Sequence, residues 1–197
     1  MSQDDETIRI YDARATDYAS MVAKPRPDAE VLGFLADLPP NASILDLGCG
    51  PGTSASHFAR AGHAVDAMDA SAQMVALAGQ HKGVTAWQGT FDQMPTGCHY
   101  HGVWANFSLL HASRAELPRY LMQIHDMLHP AGIFHIGMKL GEGTHRDRLG
   151  RLYTYFSEDA LSAMLTTAGF TITARTHGNE PGLSGEPADW ICLRAHA

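Results

Sequence analysis

Asp46, Gly48, Gly50, Gly52 and Asp69 are the residues whose types and spacing say most about chemistry in this sequence. Three alternating glycines let a backbone turn sharply and let a ligand approach it without meeting a Cβ. They follow Ile44 to Leu47, an apolar run that suits a short strand covered on both faces. They precede Thr53 to Ala61, read as a helix that Gly62 stops and whose free N–H groups point back at the loop. Strand, glycine loop and helix N-terminus make a cradle for a nucleotide-type ligand. The order Gly48-x-Gly50-x-Gly52 departs from the G-x-G-x-x-G of dinucleotide sites, so a nicotinamide-dependent oxidoreductase is a distant reading. Asp69 closes a second apolar stretch roughly 20 residues beyond the first glycine, the register at which a carboxylate meets ribose hydroxyls in a doubly wound sheet.

Other reactive groups are fainter. Asn106-Phe107-Ser108-Leu109-Leu110-His111 leaves the segment Tyr100 to Asn106, and His111 is the histidine that register places at the lip of the pocket. An imidazole with an ordinary pKa near 6.5 takes a proton at neutral pH, so His111 is the candidate general base; supporting the next helix is its bland alternative. Arg146, Arg148 and Arg151, with Tyr153, follow a strand end on the ligand edge of the sheet, where cations and phenols hold a carboxylate or phosphate. Glu142 and Asp147 dilute that charge, and a solvated loop is the alternative. His125 and His129 at helical spacing, and Cys98-His99-Tyr100-His101, read as a solvated helix end and a surface loop, so no metal site is expected.

The elements that position these residues follow from periodicity. Ile8, Tyr11, Ala15, Tyr18 and Val22 share one helical face over residues 8–22. Lys24-Pro25-Arg26-Pro27 is a linker, and Val31, Phe34, Leu35 and Leu38 trace a second helix stopped by Pro39-Pro40. Strands are expected at residues 64–69, 84–87, 100–106, 133–139, 170–176 and 189–196, in addition to the one before the glycines. Ser71 caps a helix facing inward with Met74 and Leu77 or Ala78. Leu117, Tyr120, Leu121, Ile124 and Leu128 form a wide apolar stripe, and Ser157 caps a last helix through Ala168. Residues 139–156 show no clear period and read as an insert.

The complete D-x-G-x-G-x-G pattern at Asp46, Gly48, Gly50 and Gly52, with the course of the chain through Pro130-Ala131-Gly132 to a terminal hairpin, resembles class I S-adenosylmethionine-dependent methyltransferases of the small-molecule branch. The resemblance implies an α/β, Rossmann-like, doubly wound and mostly parallel seven-stranded sheet with an antiparallel last strand and helices on both faces. It implies S-adenosylmethionine as cofactor, lying over the glycine loop with Asp69 and Ala70 at its ribose and Asn106 beside its methionine end. Tyr11-x-x-x-Ala15-x-x-Tyr18 is similar to the N-terminal helix that covers the cofactor, with Tyr18 toward the cofactor and Tyr11 toward the acceptor. Many members carry Asp where Thr90 stands, so Thr90, Phe91 or Asp92 is the adenine contact. One domain over residues 1–197 is expected, with covering helices in 1–40 and a substrate-side insert in 139–156. Methyl transfer to a small acceptor is the leading function, and a binding or regulatory protein without turnover is the alternative.

Composition agrees with that class. With 197 residues and 45% apolar content the chain is long enough for one proper core. A net charge of -7 gives no footprint for nucleic acid, so an anionic small acceptor is expected to meet local cations only. Three cysteines at unrelated spacings argue against a disulfide framework. No long apolar run and no apolar leader stretch point to a cytoplasmic protein without a membrane anchor. The number of subunits is not legible.

Overall fold

The computed structural model describes residues 4–197, so Met1, Ser2 and Gln3 of the acidic N-terminal stretch, and the start of the expected 1–40 and 1–197 spans, lie outside the described residues. Seven strands form the main sheet: β1 (Ser43–Leu47), β2 (Ala64–Asp69), β3 (Val84–Gln88), β4 (Tyr100–Asn106), β5 (Leu128–Lys139), β8 (Thr171–Pro181) and β9 (Pro187–His196). Between β5 and β8 a separate two-stranded hairpin pairs β6 (Thr144–Arg146) with β7 (Leu152–Thr154). The order in the main sheet is β3-β2-β1-β4-β5-β9-β8. β1 to β5 pair in parallel, while β9 runs antiparallel to both β5 and β8. The chain therefore has the α/β, doubly wound architecture with an antiparallel last strand.

Each strand alternates its side chains between two apolar layers. On one face Leu45, Val103, Phe134 and Ile136 pack with Leu117, Tyr120, Leu121 and Ile124 of α6 (Leu117–Asp126) and with Leu161 and Leu165 of α7 (Glu158–Thr167). On the other, Ile44, Val65, Ala67 and Trp104 pack with Val31 and Phe34 of α3 (Ala29–Ala36) and with Ala55 and Phe58 of α4 (Thr53–Arg60). Full burial of one such large side chain contributes about 1.5–3 kcal/mol, so the two layers together fix which strand ends lie side by side. Several helices begin on side-chain caps. Ser71 accepts from Met74 N at the start of α5 (Ala72–Ala78), Asp28 from Val31 N, and Ser157 from Ala160 N.

Three expectations are corrected. The N-terminal face is two helices, α1 (Asp5–Ala13) and α2 (Ala15–Val22), broken at Arg14. Asp12 ties the end of α1 to α5 by accepting from Ser71 Oγ at 2.6 Å and Gln73 N at 3.2 Å. α3 ends at Ala36, so Leu38 lies beyond it. His125 and His129 do not share a helix, because α6 stops at Asp126 and Leu128 already pairs with Tyr100. Residues 139–156 are partly ordered by the β6–β7 hairpin, whose three-residue strands are too short to show a period.

Candidate functional site

The C-terminal ends of β1, β2 and β4 open into a cleft lined by Gly48, Gly50, Met68, Asp69, Asn106 and Ser108. The glycine loop forms its floor. Gly48 has φ +72°, and a Cβ there would stand 2.2 Å from Ser108 Cβ, so the close approach of β1 and the β4 exit demands glycine. Ser108 Oγ seals that approach by donating to Leu47 O at 2.6 Å. Gly50 has φ +54°, and a Cβ there would touch only Tyr18, at 3.5 Å, so the loop faces open space at this point. Gly52 sits at the start of α4 against Ala78, behind the floor.

Two carboxylates brace the loop from different sides. Asp46 Oδ2 accepts from Ala55 N at 3.1 Å, in the first turn of α4, and burial pushes its carboxyl up to about 8. It does not line the cleft. Asp69 does line it, and accepts from Gly50 N at 2.8 Å and from Ser71 N at 2.9 Å. Burial raises its carboxyl above the usual range, against those two N–H groups. Each carboxylate oxygen keeps a further lone pair, so Asp69 can hold the loop and still accept from a pair of hydroxyls.

Tyr11, Tyr18, Ala70, Phe91, Asn106 and His111 complete the expected residues found at the cleft wall. α1 and α2 roof the cleft through Tyr11 and Tyr18, whose rings meet edge to face at 5.5 Å. Thr90 points elsewhere: it caps the short turn at Phe91–Gln93 by pairing with Gln93. Asp92 is held by Arg119 and by Tyr120, at 3.0 Å from the latter, and does not line the cleft either. Phe91 is thus the member of the expected trio at the wall.

His111 is deep and fully partnered. Its Nδ1 lies 2.7 Å from Leu152 O and its Nε2 lies 3.0 Å from Tyr11 Oη. A carbonyl only accepts, so Nδ1 carries the proton and Nε2 offers its lone pair to the Tyr11 hydroxyl. Tyr11 Oη in turn accepts from Arg151 Nη1 at 2.9 Å. Burial lowers the His111 pKa to about 4 and raises the Tyr11 phenol well above its usual value. The ring is neutral near pH 7, and the proton between it and Tyr11 stays on the phenol.

The three insert arginines separate. Arg146 pairs with Asp4 through both terminal nitrogens, at 2.9 and 2.8 Å, and with Glu6. Arg148 pairs with Glu186 at 3.1 Å and donates to Ser184 O. Neither lines the cleft, because carboxylates outside it hold both. Arg151 is 2% exposed, bonded to Asp147 at 2.6 Å, and reaches the wall through Tyr11. Tyr153 stands behind His111, with centroids 4.7 Å apart, and carries Lys139 Nζ 4.3 Å over its ring.

Met68, Met74, Ser71, Phe107 and Ser108 also line the cleft and were not foreseen. Ser71 was legible only as a helix cap. Phe107 has φ +56°, a strained turn at the β4 exit that nothing in its residue type announces.

Residues 44–132 match the family model described as a methyltransferase domain. No curated protein matches the sequence. Over 100% of this chain and 91% of the other, the fold is similar to a 1,6-didemethyltoxoflavin-N1-methyltransferase of Burkholderia thailandensis, with TM-score 0.70 and 22% identity. That structure holds 1,6-didemethyltoxoflavin and S-adenosylhomocysteine. The CcbJ methyltransferase of Streptomyces caelestis gives TM-score 0.73 and 20% identity over 98% and 99% of the two chains. The cyclase SpnF gives 0.73 and 18% over 95% and 93%.

Proposed function

We infer that this chain, a methyltransferase by the domain at residues 44–132 and of the class I S-adenosylmethionine-dependent kind by its fold, moves a methyl group to a small molecule seated between the glycine loop and His111. The observation that carries the site is the Asp69 carboxylate, half-buried at the cleft wall and bonded to the N–H of Gly50, where the loop faces open space. Those residues fit the cofactor: Asp69 and Ala70 at the ribose, Gly48 and Gly50 under the amino-acid end, Phe91 against adenine, Asn106 and Tyr18 toward the sulfur. Asp46 and Gly52 serve by shaping the loop from behind. S-adenosylmethionine supplies, when bound, a methyl carbon already activated by a sulfonium.

The protein's tasks are then to position an acceptor and to exclude water. Tyr11 and Tyr18 close the roof. His111 is proposed as the base, with Tyr11 holding its lone pair until an acceptor proton takes that place. An imidazole lowered to about 4 is a weak base, which suits an acceptor whose own proton is acidic, such as a phenol or a heteroaromatic N–H. The Burkholderia enzyme's structure holds 1,6-didemethyltoxoflavin, a small molecule, beside S-adenosylhomocysteine. An anionic acceptor is the finer part of this reading; Arg146, Arg148 and Arg151 are each engaged by a carboxylate, and of the three only Arg151 meets the wall, through Tyr11. We further place the whole chain in one domain, with 139–156 as its acceptor-side insert. A cytoplasmic location is supported by three cysteines without a disulfide among the described residues. Among those residues no helix is long and apolar enough to cross a membrane.

A cofactor-dependent protein without methyl transfer is the second reading, favoured by the occupied lone pair of His111. Calorimetric titration with S-adenosylmethionine, S-adenosylhomocysteine and NAD, followed by an acceptor screen with radiolabelled methyl, separates them. Tight binding of the first two with labelled product supports methyl transfer. Binding of NAD alone would falsify the cofactor assignment, and cofactor binding with no labelled product across phenols and N-heterocycles favours the second reading.

A further inference from the structure

Away from the cleft, under α3, three side chains from three elements converge. β5 and β9 pair with Gly137 opposite Cys192 and His135 opposite Arg194, so His135 and Cys192 are diagonal neighbours on one face. Glu30 of α3 reaches down to the same point. A Glu30 oxygen, a ring nitrogen of His135 and Cys192 Sγ all lie within 4.8 Å of one another. His135 is 0% exposed, stacked flat on Trp104 at 3.6 Å, and its Nδ1 has no hydrogen-bond partner. That atom faces Glu30 Oε2 at 3.9 Å.

The tautomer follows from Asn106. His135 Nε2 lies 3.1 Å from Asn106 Oδ1, and Cys192 Sγ points at the same oxygen from 3.7 Å. Two donors converge on one acceptor, so Nε2 carries the proton and Nδ1 is a bare lone pair. A buried, unpaired acceptor is an unmet cost in a folded protein. The ring lies flat between Trp104 and the underside of α3, with only the Glu30 carboxylate near that nitrogen among the described residues. The other charged groups around it are already paired: Lys24 with Asp28 at 2.8 Å, and Arg194 with Asp37 at 2.6 Å.

We propose that Glu30, His135 and Cys192 bind a divalent cation of the zinc type. Imidazole nitrogen, thiolate sulfur and carboxylate oxygen are the ligands such a borderline-soft ion prefers, and tetrahedral ligation puts donor atoms about 3.3–3.6 Å apart. The 3.9 Å between Nδ1 and the Glu30 oxygen needs only a small side-chain movement to meet that. On binding, the Cys192 S–H gives its proton to solvent as the metal–sulfur bond forms. One thiolate and one carboxylate then neutralise the two positive charges in a buried place. Glu30, whose side chain is 22% exposed, marks the way in and leaves the fourth position to water. The ion would pin α3 to β5 and β9, and through His135 Nε2–H it would firm the bond to Asn106 at the cleft wall.

Cobalt(II) is the probe. The whole chain, stripped by chelator, is titrated with cobalt(II) while absorbance is read. One equivalent should bring a thiolate-to-cobalt charge-transfer band in the near ultraviolet, bleached by zinc(II). Cys192→Ser should abolish the band while its far-ultraviolet circular dichroism stays native, and Glu30→Gln should weaken cobalt(II) at least tenfold. Cys49→Ser and Cys98→Ser should leave the band intact. Zinc(II) should raise the melting temperature of the parent chain and not of Cys192→Ser. No charge-transfer band, a band that survives Cys192→Ser, or cobalt(II) spectra showing nitrogen ligands alone, as the His99, His101 and His129 cluster would give, overturns the proposal.

Discussion

His111 is where residue type and surroundings pull apart. Its side chain suggests a base working near pH 6.5, yet burial lowers it to about 4. His111→Gln and His111→Ala, assayed with a confirmed acceptor, should lose about 10²-fold or more in kcat if the imidazole takes the proton. The acid limb of the parent profile should then sit near pH 4 rather than near 6.5, and should vanish in both variants. An unchanged kcat leaves the ring as a support for Leu152. Asp69 can be tested without an acceptor: Asp69→Ala should weaken S-adenosylmethionine by about 1.5–3 kcal/mol, read by calorimetry. Both residues were legible, Asp69 because its register from Gly48 is local in sequence. The bond that gives His111 its setting was not. Tyr11 lies 100 residues away from it and Arg151 lies 140 from Tyr11, and no pattern within one element reports such a meeting.

At the scale of elements, the glycine loop is over-determined. Gly48→Ala puts a methyl group into Ser108 at a left-handed φ, a combined clash and strain of about 2–4 kcal/mol. Its melting temperature and its cofactor affinity should both fall, whereas Gly62→Ala, at φ +94° with open space around it, should touch only stability. The β6–β7 hairpin gives a second contrast. Arg146→Ala and Arg148→Ala should leave the acceptor KM nearly unchanged, since both guanidiniums are engaged outside the cleft. Arg151→Ala breaks a buried pair with Asp147, costing about 3–5 kcal/mol, and should raise the acceptor KM as well. If all three variants behave alike, the hairpin does not address the acceptor. The long helices and the parallel strands could be read from period and caps. The break at Arg14 could not, and neither could the bonds beside it that tie Asp12 to a helix some 60 residues onward.

For the molecule as a whole, the buried histidines set the acid side of stability. His111 and His135 have folded pKa values of about 4 and about 3, below the ordinary 6.5. Their contribution is therefore complete above pH 6.5 and is lost as pH falls toward 4 and 3, where the unfolded chain binds protons first. His111 alone accounts for on the order of 3 kcal/mol over that window. Urea unfolding at pH 7, 5.5 and 4.5 should show the decline, and His111→Gln should flatten it; parallel curves for the two proteins would discard the linkage. The two-layered sheet was legible as a plan, while the cluster of Glu30, His135 and Cys192 was not, since its members come from far-apart stretches that carry no shared motif. The roof over the cleft has one more consequence, in time rather than in energy. On the proposed function spent cofactor would leave past α1, which Arg146 ties to the β6–β7 hairpin through Asp4 and Glu6 at the half-exposed rim. Such a latch is an ionic brake on turnover: added salt screens it, so the residence time of product should shorten with ionic strength while the chemical step keeps its pace.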